Sequence, residues 1–282
     1  MGHFENCTLA TCPISEANLE YLPNLPANAF FVALFGLIIG IQVLFMIKYR
    51  TWGYSIPMFF GLVLEILGYA GRIMLHTNPF DFDSFLMYLI CLTIAPAFFS
   101  ASIYVCLGKI IRIYGEDIAR FRPRTYTTFF VSCDITSLIL QSAGGALAAI
   151  ATETENSLRQ TGINLMIAGL AFQVVSLFLF IILASEFAIR VRKSPKPEEN
   201  EFSGLRQSSK WKMFIYCLGL ATLTIFIRSI FRVAELKGGF NSALANNQVD
   251  LMVLESSMVS IACIALTVAH PGTIIGRVWN SL

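Results

Sequence analysis

Apolar residues gather into seven long runs separated by short polar stretches. The runs cover about residues 27–47, 54–75, 85–107, 125–150, 162–183, 211–233 and 249–269. Each is near the roughly 20 residues that carry a helix across a bilayer. They leave no stretch long enough for a soluble domain. The pattern predicts an all-α polytopic membrane protein, a seven-transmembrane-helix bundle. A tail of residues 1–26 precedes it, the bundle occupies 27–272, and a short tail of 273–282 follows. The longest connection, about 186–210, is polar and contains Pro195 and Pro197. Pro96 sits inside the third run and predicts a kink there.

Composition agrees with lipid as the solvent. The 282 residues are 56% hydrophobic and 13% charged, half the charged share of an ordinary soluble domain. The positions of Lys and Arg set the expected orientation. Fifteen of the 20 basic residues fall after the first, third and fifth runs or in the C-terminal tail. This asymmetry predicts the N-terminus outside and the C-terminus in the cytoplasm. The first 47 residues contain no Lys or Arg, so the basic start of a cleavable signal peptide is missing. Cys7 and Cys12 lie in the predicted exterior tail, where they are disulfide candidates. They flank or overlap a formal glycosylation sequon at Asn6. The other five cysteines fall in the apolar runs and read as packing residues.

Ionisable residues inside the runs carry the functional information, because each costs at least about 2.5–3.5 kcal/mol at mid-bilayer. Glu65 and Arg72 lie two turns apart on one face of the second helix. In the fourth, Asp134, Ser137 and Gln141 form an i, i+3, i+7 stripe before Gly144 and Gly145. Arg228, Arg232 and Glu235 form a similar stripe, at i, i+4, i+7, towards the exterior end of the sixth, and Glu255 stands in the seventh. Facing lipid is prohibitive for most of these groups, so the expectation is that they face one another. Two readings follow. One is an internal salt-bridge network that fixes helix packing. The other is a hydrated cavity, open outwards, for a charged or amphipathic ligand.

Several function classes fail on chemistry. A retinal protein needs a lysine in its last span, and residues 249–269 have none. The three histidines, His3, His76 and His270, are too far apart in the topology to build a catalytic zinc centre. There is no phosphate-binding loop for ATP. No catalytic residues, metal site or cofactor are expected, and nothing points to nucleic acid. A receptor shares the topology, but the third span ends in LGKIIRIYGED and the last lacks an Asn-Pro-x-x-Tyr run.

The motifs stand in a distinctive order: EILGYAGR at 65–72, APAFFSASIY at 95–104, FFVSCDITSLILQSAGG at 129–145, RSIFRVAELKGG at 228–239, then His270-Pro271-Gly272. This resembles the fungal RTA-like family, also called the lipid-translocating exporter family, over essentially the whole chain. The resemblance implies a seven-helix protein, often of the plasma membrane. It implies export of sphingoid long-chain bases or resistance to lipophilic toxicants, with one branch linked to porphyrin movement. The family's polar set maps by position onto Glu65, Tyr69, Arg72, Asp134, Gln141, Arg228, Arg232 and Glu235. Where the family has a His-Glu pair and a later Asp, this chain has Asn247, Gln248 and Glu255. The expected partners are membrane lipids and an amphipathic small molecule. The alternatives are a receptor-like lipid or stress sensor, with the basic 186–210 loop recruiting a cytoplasmic partner, and porphyrin or haem transport.

Overall fold

The computed structural model describes residues 21–150, 156–193, 203–237, 251–276 and Trp279. Among these, the backbone is helical and contains no strand. Helix α1 spans Leu25–Tyr49, α2 Trp52–Thr77, α3 Phe82–Tyr114, α4 Pro123–Ile150 and α5 Asn156–Lys193. A short α6, Ser203–Gln207, precedes α7, Ser209–Lys237. The last span begins as a π-wound segment, Leu251–Ser257, and continues as α8, Met258–Val268, and α9, Pro271–Ile274. Seven of these helical segments are long and apolar enough to cross a membrane. The protein is an integral membrane protein. Cys7, Cys12, Asn6, Asn247 and Gln248 lie outside the described residues.

The helices outrun the apolar runs at their polar ends. The clearest case is α5, which continues to Lys193 through the first third of what the pattern assigns to the 186–210 loop. No proline intervenes before Pro195. Arg190 also reaches back one turn to Glu186 at 2.6 Å, the spacing that supports a solvated helix end. Residues 194–202 of that loop are not among those described.

Local signals set the ends. Asn24 accepts the Ala27 N–H at 3.1 Å, with Pro26 in the first turn of α1. Asp81 does the same for α3 through Ser84. Gly115, at φ 113°, ends α3 in backbone that residues with side chains rarely adopt.

The spans pack in chain order, with α8 closing against α1 and α3 running through the middle to touch α7. Large apolar residues such as Phe30, Leu37 and Leu44 of α1 and Ile135 and Ile139 of α4 point outwards, as the lipid-facing surface of a bundle requires. Inside, polar side chains link helices: Gln42 donates to Thr267 at 2.9 Å and Tyr54 to the Leu266 carbonyl at 2.9 Å. Between α4 and α5 the backbones themselves touch. A Cβ on Gly144 would lie 2.6 Å from Gly162 O and Met166 N, and one on Gly162 would lie 2.6 Å from Ala148 N. Small residues at such crossings let membrane helices gain close packing where lipid supplies no hydrophobic drive.

Candidate functional site

Proline chemistry starts the site. Pro96 has no N–H, so in α3 the carbonyl four residues earlier, Leu92 O, loses its helical donor. The Arg228 guanidinium of α7 donates to that carbonyl through Nη2. The same nitrogen donates to Glu255 Oε1 at 2.8 Å. The kink-forming proline and the buried arginine are therefore two halves of one contact.

One turn along α7, Arg232 Nη1 donates to Glu235 Oε2 at 2.7 Å and stands 3.7 Å from Glu255 Oε2. Its Nη2 donates to Thr93 Oγ1 on α3 at 3.1 Å. Arg72 of α2 meets only neutral partners among the described residues. Its Nε donates to Asn28 Oδ1 and its Nη2 to Tyr21 Oη, both at 3.1 Å, and it lies over the Tyr88 ring at 4.9 Å. Glu65 shares the electrostatic neighbourhood of Arg228 and Glu255. Tyr69, between Glu65 and Arg72 on the same face, stacks on Phe31 and Phe35 with ring centroids 5.1 and 5.8 Å away.

All of these charged groups are buried, at 5% exposure or less. Three arginines and three carboxylates (Glu65, Glu235, Glu255) make the cluster close to neutral. Charged pairs survive in a low-dielectric interior only when matched in this way. The matching is incomplete at the level of atoms. Glu65 Oε1, Tyr69 Oη, Arg72 Nη1 and Ser256 Oγ are buried with no hydrogen-bond partner among the described residues. Glu255 stands in the π-wound segment, a winding that recurs at functional positions in helices.

The fourth-span stripe lies elsewhere. Ser137 Oγ donates to Asp134 O at 3.0 Å, and Gln141 Nε2 donates to Ser137 Oγ at 3.2 Å and to Gln173 Oε1 of α5 at 3.0 Å. Asp134 faces Tyr104 of α3, close enough to interact but short of hydrogen-bond geometry. Neither Asp134 oxygen has a hydrogen-bond partner among the described residues, and the same holds for Tyr104 Oη, Gln141 Oε1 and Ser176 Oγ. Glu65, Tyr69, Arg72, Arg228, Arg232, Glu235 and Glu255 thus come together. Asp134, Ser137 and Gln141 form a second cluster, in the seam between α3, α4 and α5.

Several participants were not singled out from the sequence: Asn28, Tyr88, Thr93, Tyr104, Gln173 and Ser176. Asn28 and Gln173 had a readable signal, as amides inside apolar runs. Tyr88, Thr93 and Tyr104 had none, since such residues are common in any span. Among the described residues no three His, Cys, Asp or Glu side chains are placed to hold a metal ion. His270 is buried as a helix cap, accepting the Gly272 N–H at 3.0 Å. The cysteines from Cys91 to Cys263 are unbridged.

A family model for RTA1-like proteins matches residues 58–277. The chain belongs to the RTA1-like family. Among its relatives, the sphingoid long-chain base transporter RSB1 of Saccharomyces cerevisiae is 34% identical over 278 residues, covering 89% of this chain and 72% of that protein. Protein RTM1 of the same yeast is 31% identical, covering 82% and 71%. The yeast protoporphyrin uptake protein 1 is also 31% identical, covering 80% and 70%. No solved structure matches. The RTA1-like region contains the residues of both clusters from α2 onwards. Asn28 and Tyr21, which hold Arg72, precede it.

Proposed function

We propose that this RTA1-like protein moves amphipathic lipids, such as sphingoid long-chain bases or lipophilic toxicants, across the membrane through its polar interior. The support is the 34% identity to a sphingoid long-chain base transporter over nearly the whole chain, joined to one observation. Buried side chains in all seven spans carry ionisable or polar groups whose hydrogen-bonding capacity is unfilled among the described residues. A network serving packing alone is most stable when every buried polar atom is matched. Unfilled acceptors and donors at membrane depth suit a polar head group that visits and leaves. The proposed ligand-handling residues are Glu65, Tyr69, Arg72, Asp134, Ser137, Gln141, Arg228, Arg232, Glu235 and Glu255. The proposed setting is the plasma membrane, as the family resemblance implies, and the placement of Lys and Arg supports an N-terminus outside.

The test is reconstitution of the full chain into ATP-free liposomes. Exchange of a labelled long-chain base between leaflets should be faster than in protein-free vesicles, and Glu65→Gln and Asp134→Asn should each weaken the acceleration at low base concentration. Vesicles in which the unmutated protein leaves exchange at the protein-free rate would remove the translocator reading and favour a sensor. The likeness to a protoporphyrin uptake protein supports a second reading, in which arginines take porphyrin carboxylates. Protoporphyrin added to the same vesicles should then compete with the base.

A further inference from the structure

The two polar clusters differ in sign. The arginine–glutamate cluster holds three guanidiniums, and two of its three carboxylates are already engaged by them. The third, Glu65, lies in the field of Arg228. A cation entering there must displace an arginine or sit beside one.

The seam between α3, α4 and α5 contains a carboxylate with no paired cation among the described residues. Asp134 is 4% exposed and makes no ion pair among the described residues. Residues 125–150 of α4 and 162–183 of α5 contain no Lys or Arg. Beside Asp134 stand three mutually packed rings. Tyr104 lies 4.6 Å from Phe180 and 5.4 Å from Phe130, and Phe130 lies 5.3 Å from Phe180, centroid to centroid. Phe130 is one turn before Asp134 on the same face of α4. A carboxylate beside an aromatic cluster is chemistry that can bind an ammonium group, through charge-assisted hydrogen bonds and ring quadrupoles. Gln141 Oε1, about 10 Å along the same face of α4, and Ser176 Oγ of α5 add further unfilled acceptors.

We propose that Asp134, backed by Tyr104, is the docking point for the primary ammonium of a long-chain base. The arginine–glutamate cluster is then not the head-group site, and it holds α2, α3, α7 and the π-wound start of the last span together. This assignment rests on the transporter reading above and divides the residues named there between two tasks.

Two measurements on the full chain in liposomes test it. The first follows exchange of labelled dihydrosphingosine against its concentration. Asp134→Asn should raise the half-saturating concentration by about tenfold or more, the loss of one charge-assisted contact. Asp134→Glu should retain most of the affinity. N-acetyl-dihydrosphingosine, which has no ammonium, should be handled alike by the unmutated protein and by Asp134→Asn. An unchanged half-saturation in Asp134→Asn, with a shift in Glu65→Gln, overturns the proposal and leaves the transporter reading standing.

The second needs no variant and so survives misfolding of Asp134→Asn. A lipid-soluble carbodiimide is applied to the unmutated protein, and adducts are mapped by mass spectrometry. Dihydrosphingosine should protect Asp134 and leave labelling of Glu65 unchanged. Protection of Glu65 with Asp134 still labelled refutes the proposal. Protection of Asp134 by a protein that speeds no exchange sinks the transporter reading while the binding site stands.

Discussion

The two polar clusters both bury hydrogen-bonding groups and solve the cost of burial in opposite ways. Around Arg228 and Arg232, charges cancel in pairs, and even the carbonyl released by Pro96 is taken up by a guanidinium. Around Asp134, neutral amides and hydroxyls satisfy part of one another, and the carboxylate is left without a counter-charge among the described residues. The first arrangement resists removal of any member. The second carries an unmet electrostatic demand, which a ligand can meet. Polar burial by itself therefore does not mark a binding site in a membrane protein; the imbalance does.

Four substitutions would break or sharpen that contrast. The largest effect belongs to Arg228→Leu, which leaves the Leu92 carbonyl without its donor and Glu255 with only the 3.7 Å contact to Arg232. It should cost about 3–5 kcal/mol in thermal or denaturant unfolding of the detergent-solubilised protein. Adding Glu255→Leu should recover part of the loss. A cost below about 1 kcal/mol for the single change would mean that the pairs contribute little. Gly144→Ala comes next, at about 1–3 kcal/mol, because its Cβ would press on two backbone atoms of α5. Gly145→Ala is the internal control. Its Cβ would meet nothing nearer than Met166 Sδ at 3.9 Å, so it should be neutral or gain up to about 1 kcal/mol from helix propensity. Equal losses at the two glycines would contradict the described crossing. Asp134→Asn should shift stability by less than about 1 kcal/mol, since no formed contact is lost. A loss like that of Arg228→Leu would place a cation beside Asp134 after all. Tyr69→Phe should change unfolding least, by about 0.5 kcal/mol or less, because its hydroxyl has no hydrogen-bond partner among the described residues.

Hydropathy alone made the seven spans legible, since a hydrocarbon solvent forces every span to announce itself. The buried ionisable residues were legible for the same reason. Which of them meet was not. Glu65 and Asp134 look equivalent on paper, each a carboxylate within an even-numbered span. Their different surroundings depend on how each helix is rotated about its axis, and no single-helix pattern encodes that rotation. Pro96 illustrates the gap at one residue. Its kink was readable, while the partner for the carbonyl it releases comes from Arg228, 136 positions beyond Leu92. The length of α5 was under-read because apolar runs report the hydrocarbon slab and not the helix that continues past it.

The glycine contact between α4 and α5 has a mechanical consequence. With Gly144 and Gly162 meeting backbone to backbone, the pair behaves as a single lever whose two arms cannot slide apart without losing their whole contact surface. On the Asp134 proposal, a rearrangement that admits a head group is expected to work on the α3 side of the seam, where Tyr104 faces Asp134.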